Sequence, residues 1–228
     1  MSSQVIVHSM TPVTLIGGAG ASAEDMTLAL SLAPILTVAD GGADTALALG
    51  LTPQAVIGDM DSLSPQAAAA FAAVLHPVAE QDTTDFDKAL THIDAPLILA
   101  LGFSGGRLDH ELAALHSLVL RADRPCLLLG SETLAFHCPP DLLLPLAAGT
   151  LVSLFPFGAV RVASQGLRWP TDHLDFAPDR RIGTSNQATG EVRLRPAAPG
   201  MLVILPRATL PLVAEPLRRA PRWPVAPG

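Results

Sequence analysis

Gly58-Asp59-Met60-Asp61-Ser62 is a motif whose residue types and spacing could bind a divalent cation. Side chains at positions i and i+2 of an extended chain project to the same side, so the two aspartates can face one ligand. Carboxylate oxygens are ligands that Mg²⁺ prefers, and the ion usually keeps several waters and takes phosphate oxygens as further partners. The alternative is a turn in which both aspartates accept hydrogen bonds from nearby backbone amides.

Acidic residues are concentrated around this motif. The chain has a net charge of −7, and the segment from Asp40 to Asp94 contains nine acids but a single base, Lys88. This balance argues against a general nucleic-acid-binding protein. A solvated acidic face is the simplest alternative explanation. The aspartates, however, stand among glycines and at predicted strand ends rather than along one helical stripe, which favours cation binding.

Two further segments combine charged residues with a predicted helix start. In residues 81–88, threonine can cap a helix, and Lys88, the only lysine of the chain, lies one turn inside it. Its ammonium group could form a structural ion pair with the neighbouring acids or reach a phosphate. In Gly102–His110, glycines follow a predicted buried strand and precede a helix, whose free N–H groups and Arg107 suit an anion.

The elements that must position these residues follow two patterns. Up to residue 138, short apolar strands alternate with helices, which predicts a mostly parallel three-layer α/β domain that binds ligands beyond the carboxyl ends of its strands. After Pro139-Pro140, short β-rich runs are separated by turn residues, which predicts a small antiparallel β-sandwich or barrel at residues 139–216. Residues 217–228, rich in Pro and Arg, are predicted to form a loose tail.

Composition excludes a mainly disordered chain, because hydrophobic residues make up 49% of it and the mean hydropathy is +0.40. The longest apolar runs are far shorter than the roughly 20 residues that cross a bilayer. The N-terminus lacks the basic and apolar pattern of a signal peptide. With only two cysteines, both interpreted as reduced thiols, the sequence predicts a cytoplasmic protein.

Taken in order, the motifs closely resemble those of the thiamine pyrophosphokinases. The resemblance covers about residues 13 to 206, and its six motifs stand in the order of that family. The motifs are Ala39-Asp40-Gly41-Gly42-Ala43, Gly58-Asp59-Met60-Asp61-Ser62, Gln81-Asp82-Thr83-Thr84-Asp85-Phe86, Gly105-Gly106-Arg107-Leu108-Asp109-His110, Gly166-Leu167-Arg168-Trp169-Pro170 and Gly183-Thr184-Ser185-Asn186.

The resemblance implies a catalytic α/β domain and a thiamine-binding β-sandwich, in a homodimer with the thiamine site at the subunit interface. The implied reaction transfers pyrophosphate from ATP to the hydroxyl of thiamine, with Mg²⁺ as cofactor, and gives thiamine diphosphate and AMP. The implied catalytic cluster is Asp40, Asp59, Asp61, Asp85 and Asp109, of which Asp59, Asp61 and Asp85 are the expected metal ligands. The implied phosphate contacts are Gln81, Asp82, Thr84, Lys88 and Arg107, and the implied thiamine contacts are Trp169, Ser185 and Asn186.

Several points stay open at this level. Asp85 and Asp109 are both candidates for the general base. Gln187 stands where the family often has an acid, and Gly102-Phe103-Ser104 replaces a more glycine-rich approach, which puts fine substrate contacts in doubt. The alternative functions are pyrophosphoryl transfer to another hydroxymethyl heterocycle such as a pterin, thiamine binding without catalysis, and metal-dependent phosphate hydrolysis.

Overall fold

The computed structural model describes residues 4–80 and 82–225, and it divides into two compact units. The first unit contains the residues up to Ser117 together with Leu128–Gly130, and the second contains Leu118–Leu127 and the residues from Ser131 onward. The sequence had suggested a domain boundary at residue 138, whereas residues 131–138 belong to the second unit. No helix of the described residues has the length and apolar character needed to cross a membrane.

A five-stranded parallel sheet forms the centre of the first unit. Its strands, named in chain order, are β2 (Val13–Ile16), β3 (Ile35–Ala39), β4 (Ala55–Gly58), β5 (Leu75–Pro77) and β7 (Ile98–Leu101). They lie in the order β7-β2-β3-β4-β5. A separate parallel pair is formed by β1 (Val7–His8) and β6 (Ile93–Asp94).

Helices connect these strands, as the alternating pattern predicts. They are α1 (Ala23–Leu32), α2 (Gly42–Ala48), α3 (Pro65–Ala70), α4 (Asp85–His92) and α5 (Leu108–Leu120), the last of which ends in the second unit. Ser22, Ser64 and Thr84 cap α1, α3 and α4, each accepting a hydrogen bond from a backbone N–H three residues later. Helix α3 is short, because it ends at Ala70 and a 3₁₀ turn follows at Ala72–Val74.

Apolar strands that are buried along their length bring the aspartate motifs to one edge of the sheet. All four residues of β2 and β4 are buried, as expected for a parallel sheet covered on both faces. Ile16, Val38 and Val56 from three strands join Met26 and Phe71 in one hydrophobic core cluster. Asp40 directly follows β3, and Asp59 directly follows the neighbouring strand β4. The motifs therefore meet at the carboxyl edge of the sheet.

The second unit is an antiparallel β region followed by a helix. Its strands are β9 (Thr133–His137), β10 (Leu142–Leu144), β11 (Leu151–Pro156), β12 (Val162–Leu167), β13 (Gly183–Pro196) and β14 (Met201–Pro206). The pairing order is β10-β13-β11-β14-β9, and β12 also pairs with β13. Strand β8 (Cys126–Leu129) is divided between the units. The expected fold class, a mostly parallel α/β region followed by antiparallel strands, is confirmed.

The second unit also contains a helix that the sequence pattern did not suggest. Helix α6 (Leu210–Arg219) includes the first residues of the segment predicted to be a loose tail, and Leu217 is buried in it. Further along, the Trp223 Nε1–H donates a hydrogen bond to the Cys138 carbonyl oxygen at 2.9 Å. The expectation of a loose tail is therefore wrong for residues 217–223, because an apolar helix face and an indole hydrogen bond hold them.

Candidate functional site

Asp40, Asp59 and Asp61 form an acidic cluster with the nearby Asp85. Asp40 is almost completely buried. It is 1% exposed, and its backbone has a φ of 34°, in the left-handed region that aspartate tolerates better than most residues. One carboxylate oxygen, Oδ2, accepts a hydrogen bond from the Ser62 N–H at 3.3 Å. The other oxygen, Oδ1, is buried without a hydrogen-bond partner among the described residues. A buried acceptor of this kind is costly unless a ligand satisfies it.

Asp59 and Asp61 lie in the loop that follows β4, beside Asp40. The Asp61 N–H donates to Asp59 Oδ1 at 3.3 Å, and the Ser62 hydroxyl donates to Asp61 Oδ1 at 2.9 Å. A backbone amide thus donates to Asp59, as the turn interpretation expects, whereas the donor to Asp61 is a side-chain hydroxyl. The same loop nevertheless places one oxygen each of Asp40, Asp59 and Asp61 within 4.8 Å of one another, close enough to share an ion.

Close backbone packing between the ends of β3 and β4 allows the carboxylates of Asp40 and Asp59 to lie this close together. A Cβ on Gly58 would lie 2.7 Å from the Cβ of Asp40, so only glycine fits at the end of β4. Asp44, on α2, accepts hydrogen bonds from both the backbone N–H and the hydroxyl of Ser64. These bonds tie the loop carrying Asp59 and Asp61 to the helix that follows Asp40.

Lys88 joins the loop after β4 to the first turn of α4. Its Nζ donates to Asp59 Oδ2 at 2.8 Å and to Asp85 Oδ1 at 3.5 Å. The side chain of Lys88 is 2% exposed, compared with 12% for Asp59 and 37% for Asp85. The ammonium is thus a buried cation held between two carboxylates from different elements.

The electrostatics divide the aspartates of this cluster into two kinds. Burial, followed by the charge of Asp85, raises the pKa of Asp40 to about 7. The hydrogen bond from Lys88 lowers the pKa of Asp59 to about 2. Burial also raises the pKa of Asp85, against the opposing effect of Lys88. For Lys88, burial alone would lower the pKa, but hydrogen bonding to Asp59 and the charge of Asp85 outweigh it, and the pKa is raised.

These residues fit a hard divalent cation. Carboxylate oxygens converge from the ends of two adjacent strands, and the buried Asp40 Oδ1 lacks any other partner among the residues described. A divalent ion would supply that partner and would relieve the repulsion among the acids. Asp85, expected as a metal ligand, is electrostatically coupled to Asp40, Asp59 and Asp61, but its oxygens are not among those that lie within 4.8 Å of one another.

Three of the remaining residues expected at the phosphates flank helix starts, since Asp82 precedes α4, Thr84 caps it, and Arg107 directly precedes α5. Gln81 lies outside the described residues. Asp82 and Thr83 donate their backbone N–H groups to Glu80, at 2.9 and 3.1 Å. Arg107 and Asp109 form an exposed two-pronged ion pair, at 3.1 and 2.5 Å. Asp109, expected in the acidic cluster, therefore has a guanidinium as its partner, and this pairing lowers its pKa.

In the second unit, Asn186 fixes the backbone of Trp169. Asn186 Oδ1 accepts a hydrogen bond from the Trp169 N–H at 3.2 Å, and its Nδ2 donates to the Trp169 carbonyl at 2.7 Å. Asn186 is 8% exposed, whereas Trp169 is 52% exposed. The Arg168 guanidinium lies 4.9 Å from the centre of the Trp169 ring and donates to Gln187 Oε1 at 3.0 Å. The Trp169 ring is thus half exposed, while its backbone is held by two hydrogen bonds to Asn186.

Ser185, the residue before Asn186, is exposed and has a φ of 61°. Its backbone N–H donates to the Ser153 hydroxyl at 3.0 Å. The expected thiamine contacts therefore lie close together along one stretch of β13 and the turn that holds Trp169.

Two family models match consecutive parts of the chain. The model described as the catalytic domain of thiamin pyrophosphokinase matches residues 26–128. The model described as the vitamin B1 binding domain of the same enzyme matches residues 137–195. The chain belongs to the thiamin pyrophosphokinase family. The first match contains the acidic cluster, and the second contains Trp169, Ser185 and Asn186.

Relatives and solved structures carry the same family name. The chain is 28% identical over 154 residues to thiamine pyrophosphokinase 3 of Oryza sativa, covering 59% of this chain and 58% of the relative. It is 29% identical over 155 residues to thiamin pyrophosphokinase 1 of Caenorhabditis elegans, covering 60% and 63%. The matched segment thus spans less than two thirds of these relatives' length.

Among solved structures, thiamin pyrophosphokinase from Candida albicans superimposes with a TM-score of 0.71 at 15% identity, covering 90% of this chain and 96% of that one. The yeast thiamin pyrophosphokinase gives a TM-score of 0.70 at 15% identity, with 94% of each chain covered. At this level of identity the likeness shows the fold.

Two residues that support the site, Glu80 and Asp44, were not predicted from the sequence. Glu80 orders the loop before α4, because it accepts hydrogen bonds from Asp82 and from the backbone and hydroxyl of Thr83. Asp44 orders the loop before α3 through Ser64. An acid two or three residues before a threonine is a turn signal that could have identified Glu80, whereas the Asp44–Ser64 contact spans 20 residues and has no local signal.

Proposed function

We propose that this chain is a thiamine pyrophosphokinase, which transfers the pyrophosphoryl group of ATP to the hydroxyl of thiamine and releases thiamine diphosphate and AMP. The observation that carries the proposal is the convergence of Asp40, Asp59 and Asp61 at the carboxyl edge of the sheet, with Asp40 Oδ1 buried and unpartnered among the described residues. The reaction assigned to that cluster follows from membership of the family. ATP and thiamine are the proposed substrates, and Mg²⁺ is the proposed cofactor.

In this reaction the residues of the acidic cluster would bind the metal ion and so orient the ATP phosphates. Asp40, Asp59 and Asp61 would hold the ion, and Asp85 would contact it directly or through water. When bound, Mg²⁺ neutralises the phosphate charge that opposes attack by the hydroxyl. Little covalent work then falls to the protein, so that positioning the hydroxyl in line with the β-phosphorus accounts for much of the rate.

Of the two carboxylates considered as proton acceptor, we favour Asp85. Burial raises its pKa, whereas hydrogen bonding to Arg107 lowers the pKa of Asp109. A carboxylate with a raised pKa accepts a proton more readily as the hydroxyl attacks. We therefore assign the base role to Asp85 and leave Asp109 with Arg107, whose guanidinium suits the nucleotide phosphates.

The proposed thiamine contacts are Trp169, Ser185 and Asn186. Thiamine carries a permanent positive charge on a flat ring, and the face of an exposed indole attracts such a cation. Asn186 contributes by fixing the Trp169 backbone on both its N–H and carbonyl sides. Assembly as a homodimer with a shared thiamine site is part of the proposal, and a cytoplasmic location stays a prediction.

The test is a turnover assay with purified protein, ATP, Mg²⁺ and thiamine, in which thiamine diphosphate and AMP are separated by chromatography. We expect the two products in equal amounts, and no turnover without the divalent ion. AMP without thiamine diphosphate would indicate hydrolysis, and tight thiamine binding without turnover would indicate a binding protein. Replacing thiamine with a hydroxymethylpterin tests the other acceptor class.

Asp61→Asn provides the matched test of the site. The exchange removes one charge and keeps the shape, so the variant should fold and lose most activity. The control is Asp175→Asn, which makes the same exchange at an exposed carboxylate paired with Arg161 in the second unit. Full activity of Asp61→Asn would exclude Asp61 from the site.

A further inference from the structure

Lys88 has an unusual position for a lysine. It is the only lysine of the chain, and the residue is 3% exposed. A buried ammonium is stable only where hydrogen-bonded acids surround it, and here Asp59 and Asp85 do so at 2.8 and 3.5 Å. These two hydrogen bonds use two of the three N–H donors of the ammonium group.

The charges of the site show what the ammonium does when no other cation is bound. Asp40, Asp59, Asp61 and Asp85 are close enough to influence one another's pKa, and Lys88 is the cation hydrogen-bonded to two of them. A divalent cation on Asp40, Asp59 and Asp61 would neutralise the same acids. The Lys88 ammonium and the divalent cation would both lie next to Asp59, so they would repel each other. Each would therefore weaken the binding of the other to the acids.

We propose that Lys88 is the counter-ion of the unloaded acidic cluster, stabilising the metal-free protein and weakening the hold of the cluster on divalent cations. The inference rests on the proposed function in that it takes the cluster to be a cation site. A cluster that holds its ion less tightly can exchange the ion together with the nucleotide and the product. Lys88 is thus a positioning residue, which acts through Asp59 and Asp85.

The experiment compares Lys88→Met, which keeps the chain length and removes the charge, with Lys88→Arg, which keeps the charge. Thermal unfolding is measured at pH 8 without nucleotide or thiamine, first in EDTA and then in saturating Mg²⁺. We expect Lys88→Met to lower the apparent Tm by about 5 °C in EDTA, and the deficit to shrink in Mg²⁺. Lys88→Arg should lie closer to the wild type in both conditions.

Binding of Mn²⁺ alone, followed by the electron paramagnetic resonance signal of the free ion, gives a second readout. Removing a unit charge beside the ion should tighten Mn²⁺ binding by Lys88→Met on the order of tenfold. A third readout uses the single lysine, since labelling with ¹³Cε-lysine gives one side-chain signal. This signal should shift when Mg²⁺ saturates the wild-type protein.

An equal loss of Tm in EDTA and in Mg²⁺ would reduce Lys88 to a packing residue and overturn the proposal. An unchanged Tm and Mn²⁺ affinity, with a raised KM for ATP, would overturn it in favour of phosphate binding. If Lys88→Met does not fold, an unshifted lysine signal on Mg²⁺ saturation overturns it. Tighter Mn²⁺ binding by Lys88→Met in a protein that makes no thiamine diphosphate would support the counter-ion role while refuting the proposed reaction.

Discussion

Replacing Asp40 with asparagine should stabilise the metal-free protein at pH 8, although it removes a proposed ligand. Asparagine keeps the shape of aspartate and tolerates the φ of 34° at this position. Its amide oxygen can still accept the hydrogen bond from the Ser62 N–H. The exchange removes the negative charge of a residue that is 1% exposed and lies near three other carboxylates, Asp59, Asp61 and Asp85.

The magnitude follows from the pKa of Asp40, which burial and then the charge of Asp85 raise from 3.8 to about 7. Between those pH values the folded metal-free protein retains a proton that the unfolded chain releases, so its stability falls as the pH rises through this window. At about 1.4 kcal/mol per pH unit, the loss reaches about 4 kcal/mol by pH 8. An amide N–H without a partner costs about 1–2 kcal/mol, which leaves Asp40→Asn about 2–3 kcal/mol more stable.

The assay is urea denaturation in EDTA at pH 4, 6 and 8, followed by far-ultraviolet circular dichroism. Tryptophan fluorescence is unsuitable, because Trp169 and Trp223 both lie in the second unit and Asp40 lies in the first. The advantage of Asp40→Asn should be present at pH 8, disappear toward pH 4 and shrink in Mg²⁺, which stabilises the wild type more than the variant. Parallel pH profiles of wild type and variant would refute a raised pKa of Asp40.

Three further substitutions test other parts of the structure. Gly166→Ala should destabilise the second unit by about 3 kcal/mol or more, measured by urea denaturation, because φ is +76° and a Cβ would overlap the Glu191 carbonyl oxygen. Thr84→Ala should cost about 1 kcal/mol, since Thr84 accepts the Asp87 N–H at the start of α4; an unchanged midpoint would contradict the capping role. Trp169→Ala should raise the KM for thiamine about tenfold and leave the KM for ATP unchanged, and equal changes in both would count against a thiamine contact.

The strands and the edge at which the aspartates meet could be predicted because both depend on local signals. Buried apolar runs that end at Asp40-Gly41 and at Gly58-Asp59 identify β3 and β4, and parallel pairing then fixes which ends lie together. The partners of the individual side chains could not be predicted. Lys88 pairs with Asp59 across 29 residues of sequence, and Asp109, expected in the acidic cluster, pairs with Arg107. Such contacts depend on side-chain conformations that spacing does not encode.

Helix α6 was missed because two signals in its sequence conflict. Pro216 stands inside the helix and argues against one. Leu210, Val213, Ala214 and Leu217 nevertheless form one buried face at helical spacing. Glu215 pairs with Arg218 on the other side. Burial of that face outweighs the hydrogen bond that proline cannot donate. β13 is one strand of 14 residues, whereas the sequence predicts only short β-rich runs in this part of the chain.

The structure also separates the acids that could bind a cation from those that maintain the fold. Asp61, Glu80 and Asp82 are exposed, as in a solvated acidic face, but Asp40 and Asp87 are only 1% and 3% exposed. Asp44 accepts hydrogen bonds from the backbone N–H and hydroxyl of Ser64 in the loop before α3, and Glu80 accepts them from Asp82 and Thr83 in its own loop, so each has a structural use. Asp40 differs, because one oxygen is buried with nothing in the described chain to satisfy it, and its pKa is raised as a result. In the metal-free protein this buried oxygen lowers the stability of the fold, and a cation at the same position would remove that cost, in agreement with the proposal that the cluster binds a cation.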